Sequence, residues 1–127
     1  MIDFEALKKE QLKLAGKVST IDSVKNIKIV GGACQSYFEN KVISSVAVCD
    51  YKTMEAIEKR HAAADVKIPY KSGYLFYREG PALIEAFNML EHKPHVINVQ
   101  ANGILHPRRI GMARHVGILL HIATIGV

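Results

Sequence analysis

The sequence of 127 residues predicts one α/β domain with a mixed sheet, in which an antiparallel meander precedes parallel strands and helices flank the sheet. Two observations predict this order. The first half alternates β-branched runs with turn residues, which is the pattern of hairpin-connected strands. The second half alternates amphipathic helical patterns with short apolar runs, which favours strands joined by crossover helices. Residues 1–127 are enough for one domain and too few for two comfortable ones.

The first half carries its own start and stop signals. Asp3 suits a helix N-cap, because its carboxylate can accept hydrogen bonds from the first free backbone N–H groups. Gly31 and Gly32 lie within a strand pattern, which indicates a bulge or the close approach of another backbone. In order, we predict a helix over residues 4–15, a strand from 27–30 extended through 34–38, a hairpin turn at 39–41, a strand over 42–49, a turn at 50–53 and a third strand over 54–60.

In the second half the period changes to that of helices. Residues 73–78 are aromatic and compatible with a helix, and the pair Gly80-Pro81 is expected to interrupt it, with Pro81 in the first turn of a new helix. The apolar run over 95–100 is expected to be a strand covered on both faces. The remaining predicted elements are a helix from Pro81 to about residue 91, a helix over 110–121 and a strand over 123–127.

Composition restricts the class of protein more than the activity. Seventeen Lys and Arg against twelve Asp and Glu give a net charge of +5, which is compatible with nucleic-acid binding and also with an ordinary basic surface. No apolar run reaches the roughly 18 residues of a membrane span, so no membrane partner is expected. The first residues do not have the pattern of a signal peptide, and a cytoplasmic protein is expected. Cys34 and Cys49 are too few for a disulfide framework or a zinc site and are expected to be small core residues.

Four segments carry a family resemblance. PYKSGYLFYREGP over 69–81 resembles the wedge and Phe-Arg-Glu-Gly-Pro motifs of the endonuclease V family, and NGILHPRRIGMARHVG over 102–117 resembles its Gly-Leu-x-His-Pro-Arg motif. IVGGACQSYF over 29–38 and the terminal TIGV stand where the family has strands. The resemblance implies a ribonuclease H-like fold and a Mg²⁺-dependent endonuclease of DNA repair type. Such an enzyme acts on DNA or RNA near a deaminated base, chiefly inosine.

The resemblance also predicts a degenerate metal site. Glu79 matches the glutamate at the start of the family's helix, whereas Cys34 and Gln100 replace two metal-binding aspartates. Mg²⁺ prefers hard oxygen ligands, and stabilising a phosphoryl-transfer transition state is mostly electrostatic. Neither Asp50 nor Asp65 lies where it would replace a missing ligand. We therefore expect impaired catalysis, and Glu79 can alternatively be interpreted as a helix N-terminal acid stabilised by the helix dipole.

Further roles follow residue by residue from the family pattern. Tyr70 matches the wedge aromatic that separates strands beside the lesion, although it can also be a loop tyrosine packed on the helix. His106 matches a catalytic histidine near the phosphate, with a buried, hydrogen-bonded histidine as the alternative. The other positions implied are Gly73, Tyr74 and Gly103 along the pocket for the flipped base, and Arg108 and Arg109 on backbone phosphates.

Three functional classes stay open at this point. The first is an impaired endonuclease V-like domain that binds nucleic acid, the second an active metal-dependent endonuclease, and the third a protein-interaction scaffold. Relatives continue well beyond TIGV, so residues 1–127 are expected to form a domain without the family's C-terminal part. Because the segment 110–127 is rich in apolar residues, we also expect a homodimer that buries it.

Overall fold

The computed structural model describes residues 2–17, 26–101 and 106–127, and it contains a five-stranded mixed sheet in the order β3-β2-β1-β4-β5. The first three strands form an antiparallel meander, and β1, β4 and β5 run parallel. The predicted fold class is confirmed. The elements are α1 (Phe4–Ala15), β1 (Ile29–Phe38), β2 (Lys41–Asp50), β3 (Ala56–Asp65), α2 (Leu75–Asn88), β4 (Val96–Val99), α3 (Met112–Leu120) and β5 (Ala123–Gly126).

Local signals explain most of these boundaries. The Asp3 carboxylate accepts hydrogen bonds from the N–H groups of Glu5 and Ala6, as expected for the N-cap of α1. The pairing of Phe38 with Lys41 leaves a two-residue hairpin turn between β1 and β2. The strand β3 runs to Asp65, five residues beyond the predicted end, because small and polar residues there hide the alternation of its pattern.

The prediction of a break at Gly80-Pro81 is wrong, since α2 is continuous from Leu75 to Asn88 with Pro81 inside it. The proline is exposed, so its ring projects away from the sheet, while Phe76 and Leu83 are buried on either side of it. Burial of this apolar face against the sheet outweighs the missing hydrogen bond and the helix-breaking tendency of proline. The helix also ends at Asn88, before the predicted residue 91.

The sheet has one covered face and one open face. The helix α2 packs on β2 and β3, and α3 packs on β5 and α2. Within β4, Ile97 and Val99 are buried whereas Asn98 is exposed, so the prediction of a strand covered on both faces is wrong. The two apolar positions point to the helices, and the polar one lies on the open face, as strand alternation requires. No helix among the described residues is long and apolar enough to cross a membrane.

Candidate nucleic-acid interface

The loop before α2 projects one aromatic side chain from the surface. Tyr70 is 71% exposed, which excludes the alternative of a tyrosine packed on the helix. A cavity of about 180 Å³ lies beside it, lined among others by Ser72, Gly73, His106 and Pro107. Gly73 has φ +90°, a conformation that side-chain-bearing residues rarely adopt. The structure thus brings together three of the predicted site residues, namely the binding residues Tyr70 and Gly73 and the catalytic residue His106.

The carbonyl group of Gly73 is the centre of a hydrogen-bond network. It accepts from Gln11 Nε2 at 2.9 Å, His106 Nε2 at 2.7 Å and Arg108 Nη2 at 3.1 Å. Gln11 Oε1 in turn accepts from Arg108 Nε at 2.6 Å. Two segments distant in sequence therefore converge on one backbone oxygen, and they hold the loop that carries Tyr70.

Gln11 was not predicted as a site residue, although it is only 1% exposed. It lies on the same side of α1 as Leu7 and Leu14, four residues after the first and three before the second. A glutamine within an apolar stripe is the signal that could have identified it, because a buried amide requires partners.

His106 is fixed in one neutral form. Its Nδ1 accepts from the Arg108 backbone N–H at 3.0 Å, so Nε2 carries the proton and donates it to the Gly73 carbonyl. Burial lowers the pKa of His106, and the neighbouring Arg108 guanidinium lowers it further. The imidazole therefore holds the loop in this arrangement and has no free proton directed into the cavity.

The other predicted binding residues occupy different environments. Arg108 lies over the Tyr74 ring, 4.7 Å from its centroid, and Tyr74 is buried edge-to-face against Phe4. Arg108 is thus part of the internal network described above. Arg109 is exposed and has a left-handed φ of 59°. Gly103 lies outside the described residues.

Cys34 and Gln100, which the resemblance predicts to stand in place of two metal-binding aspartates, lie side by side. The backbone N–H of Gln100 donates to the carbonyl of Ala33, and Cys34 follows Ala33, so the two side chains share a cavity of about 520 Å³ on the open face of the sheet. Cys34 is exposed, and the prediction that it is a core residue is wrong because its strand position points to this open face. Cys49 is half-buried.

Glu79 does not line that cavity. It is 8% exposed within α2, and its Oε2 accepts a hydrogen bond from the Tyr37 hydroxyl at 2.5 Å. Tyr37 lies three residues after Cys34 on β1, so the two side chains point to opposite faces of the sheet. The Glu79 carboxylate is therefore hydrogen-bonded to Tyr37 on the face of the sheet that the helices cover.

These residues do not fit a magnesium ion. Within residues 2–17, 26–101 and 106–127, no group of three or more His, Cys, Asp or Glu side chains is placed to hold a metal. Cys34 offers a soft ligand and Gln100 a neutral one, whereas Mg²⁺ requires hard, mostly anionic oxygens. Asp50 caps the turn after β2, and Asp65 pairs with Lys41 at 2.8 Å, so neither carboxylate faces the cavity.

Comparison with known proteins identifies the family of the chain. The family model described as Endonuclease V matches residues 12–127. The chain belongs to the Endonuclease V family. Endonuclease V of Dictyoglomus thermophilum is 34% identical over 125 residues, covering 98% of this chain and 55% of that protein. The crystal structure of Endonuclease V from Streptomyces avermitilis superposes with a TM-score of 0.93 at 29% identity, over 99% of this chain and 57% of that one.

A third relative has been crystallised with nucleic acid. The Endonuclease V of Ciona intestinalis, in complex with DNA containing an inosine followed by a ribo-adenosine, matches with a TM-score of 0.87 at 30% identity. The match covers 97% of this chain and 56% of that one. This chain therefore spans about half the length of the Endonuclease V proteins that it matches.

Proposed function

We propose that this chain is a nucleic-acid-binding domain of the Endonuclease V type, which recognises a strand of DNA or RNA containing inosine and is impaired in cleaving it. Tyr70 separates the bases beside the lesion, the backbone of Gly73, Tyr74 and Gly103 lines the pocket for the base, and Arg109 contacts phosphate. In this proposal Arg108 acts mainly by holding Gly73, although it was predicted as a phosphate ligand. A cytoplasmic location is part of the same proposal.

The observation that supports binding most strongly is the loop built around Gly73. An exposed aromatic ring beside a small cavity is a stacking platform, and stacking of a base on such a ring contributes about 1–3 kcal/mol. The three hydrogen bonds to the Gly73 carbonyl hold the loop before any ligand arrives. A loop that is ordered in advance loses less conformational entropy when a strand binds.

The test is fluorescence anisotropy with a labelled single strand containing one deoxyinosine, compared with the same strand carrying deoxyadenosine. We expect tighter binding of the inosine strand and a loss of about fivefold or more in Tyr70→Ala, because one stacking contact disappears. Arg109→Ala should reduce the slope of log K against log salt by about 0.7, which is one phosphate contact on a single strand. Equal affinity for the two strands would contradict inosine recognition.

The proposed impairment rests on Cys34 and Gln100, which leave the cavity without the carboxylates of a magnesium site. The variant carrying Cys34→Asp and Gln100→Asp should bind Mg²⁺ more tightly than the wild type in isothermal titration calorimetry. The variant carrying Cys34→Asn and Gln100→Asn is the matched control, since it has nearly the same shape without the charge. If the two variants bind Mg²⁺ equally, the missing carboxylates are not the cause of the impairment.

The proposal also includes the domain organisation of the chain and its association into a homodimer. Residues 1–127 would form one Endonuclease V-like domain, and two copies would associate through the segment 110–127. Three apolar side chains of that segment are exposed, Leu119 at 44%, Ile125 at 54% and Val127 at 78%, and β5 is an edge strand of the sheet. Sedimentation equilibrium should show a dimer, and a single species of 14.1 kDa would contradict it.

A further inference from the structure

Arg78 lies between two tyrosine rings at the start of α2. Its Cζ atom is 5.2 Å from the centroid of the Tyr37 ring and 5.9 Å from that of the Tyr70 ring. Its Nη1 donates to the carbonyl of Ile68 at 3.0 Å, and its Nε lies 3.4 Å from the Tyr37 hydroxyl. The guanidinium is therefore held in place by the strand β1 and by the loop that carries Tyr70. No described residue accepts a hydrogen bond from its Nη2.

A further cavity, of about 310 Å³, is lined in part by this cation. Its charged lining groups are Lys67, Arg78 and Glu39, so cations exceed anions by one. Lys67 is exposed, and Tyr37 is 45% exposed at the same edge. Two cations beside exposed aromatic rings can bind a nucleic-acid strand of any sequence, because the phosphates pair with the cations and the bases stack on the rings.

We infer that Tyr37, Lys67 and Arg78 form a second nucleotide subsite next to Tyr70, in which a phosphate contacts the two cations and a base stacks on an exposed tyrosine ring. The inference rests on the proposed function, since Tyr70 is shared with the inosine pocket. It does not require inosine, because the groups involved recognise the phosphate and the face of any base. Tyr37 and Arg78 lie within the motifs that carry the resemblance, but the sequence analysis assigns no role to them or to Lys67.

The Tyr37 ring is itself held for this role. Its hydroxyl donates to Glu79, and Glu79 is nearly buried in α2. Glu79 thereby acts as a positioning residue for the subsite.

The experiment measures the affinity of a labelled oligothymidylate, which contains no inosine, by fluorescence anisotropy at several salt concentrations. Lys67→Gln should lower the salt slope by about 0.7 and weaken binding severalfold at low salt. Arg78→Gln should lower the salt slope by a similar amount. It also removes the planar guanidinium beside the tyrosine rings, so the affinity should fall by about tenfold in total. Lys52→Gln is the matched control, because it removes the same charge beyond the other end of β2.

A spectroscopic measurement separates a binding role from a structural one. The chain has no tryptophan, so Tyr70→Trp places a single indole at the loop. Oligothymidylate should quench its emission by stacking, and adding Lys67→Gln should move the quenching curve to higher oligonucleotide concentration without changing the emission of the free protein. Lys67 is an exposed side chain, so this variant tests the subsite even if Arg78→Gln unfolds.

The subsite is contradicted if oligothymidylate does not bind, or if Lys67→Gln binds it with the affinity and salt slope of Lys52→Gln. Its failure can be distinguished from failure of the proposed function. The expected loss of oligothymidylate binding in the variants, without preference for an inosine strand, supports the subsite and contradicts inosine recognition. A preference for the inosine strand, with unchanged oligothymidylate binding in Lys67→Gln and Arg78→Gln, contradicts the subsite and supports inosine recognition.

Discussion

His115 is a fully buried histidine that should make the fold sensitive to mild acid. Its ring stacks on Phe76 with centroids 3.6 Å apart, and neither ring nitrogen has a hydrogen-bond partner among the described residues. Burial, together with a smaller effect of the nearby His106, lowers the pKa of His115 to about 4. The groups that face it are the Glu10 carboxylate, 3.9 Å from Nε2, and the Tyr77 ring.

The magnitude follows from linkage between protonation and folding. The unfolded chain binds a proton at His115 near pH 6.5, whereas the folded chain binds it only near pH 4, so unfolding takes up a proton between these values. The free energy of unfolding therefore falls as pH decreases from 6.5 to 4. At about 1.4 kcal/mol for each pKa unit, the loss is about 2 kcal/mol at pH 5 and about 3 kcal/mol when complete.

Replacing His115 by Phe removes this effect, because phenylalanine keeps the stacking on Phe76 and has no proton to bind. We expect the variant to be no less stable than the wild type at pH 7, since two unpaired buried nitrogens disappear. Below pH 6.5 the free energy of unfolding of the variant should exceed that of the wild type by a growing amount, which reaches about 2 kcal/mol at pH 5. Urea unfolding between pH 4 and 7.5 measures it, and His121→Asn, at an exposed left-handed helix cap, controls for the loss of one histidine. A constant difference between variant and wild type across this range would refute the reasoning.

Three further predictions concern the supports of the fold and of the loop. Gly73→Ala should lower the free energy of unfolding in urea by about 1–3 kcal/mol, because φ is +90° and the new Cβ would lie 2.6 Å from Arg108 Nη2. Gly32→Ala is the control and should have little effect, because no atom lies within 4 Å of its new Cβ. Equal losses in the two variants would contradict this explanation. Gln11→Leu and Arg108→Leu should be coupled by about 1 kcal/mol or more in a double-mutant cycle, since the two side chains share a 2.6 Å hydrogen bond, and additive effects would show that the network is not cooperative. Glu58→Gln should lower the melting temperature above pH 4.5 but not near pH 2, because the N–H groups of His92 and Glu91 hold the pKa of Glu58 at about 2. An unchanged melting temperature at pH 7 would exclude a stabilising role of the Glu58 carboxylate.

Most of the fold could be predicted from local patterns. The Asp3 cap and the hairpin at residues 39–41 rely on interactions between near neighbours, and the structure contains both. The continuous α2 could not be predicted, because the signal of Pro81 is local whereas the burial of Phe76 and Leu83 that overrides it comes from the sheet. The exposed face of β4 was missed for a similar reason, since four residues are too few to show which side is covered.

Three residues around the cavity could be named from the sequence, whereas the contacts that hold them could not. Tyr70, Gly73 and His106 followed from the resemblance, and the structure places them around one cavity. The partners that hold them, above all Gln11, come from 62 residues away in the sequence, and no local pattern specifies such a pairing. The commitment of Glu79 to Tyr37, across 42 residues, was likewise invisible before the strand and the helix were brought together.

The most direct test of the account is single-turnover cleavage of an inosine-containing oligonucleotide in the presence of Mg²⁺ or Mn²⁺, with the protein in excess over the strand. Cys34 and Gln100 contribute no carboxylate to the open-face cavity, and Glu79 is held on the other side of the sheet, so the account predicts a bound strand and no metal-dependent product. Product that requires the metal and disappears in Glu79→Ala would contradict it, and would show that Glu79 leaves Tyr37 to bind the metal.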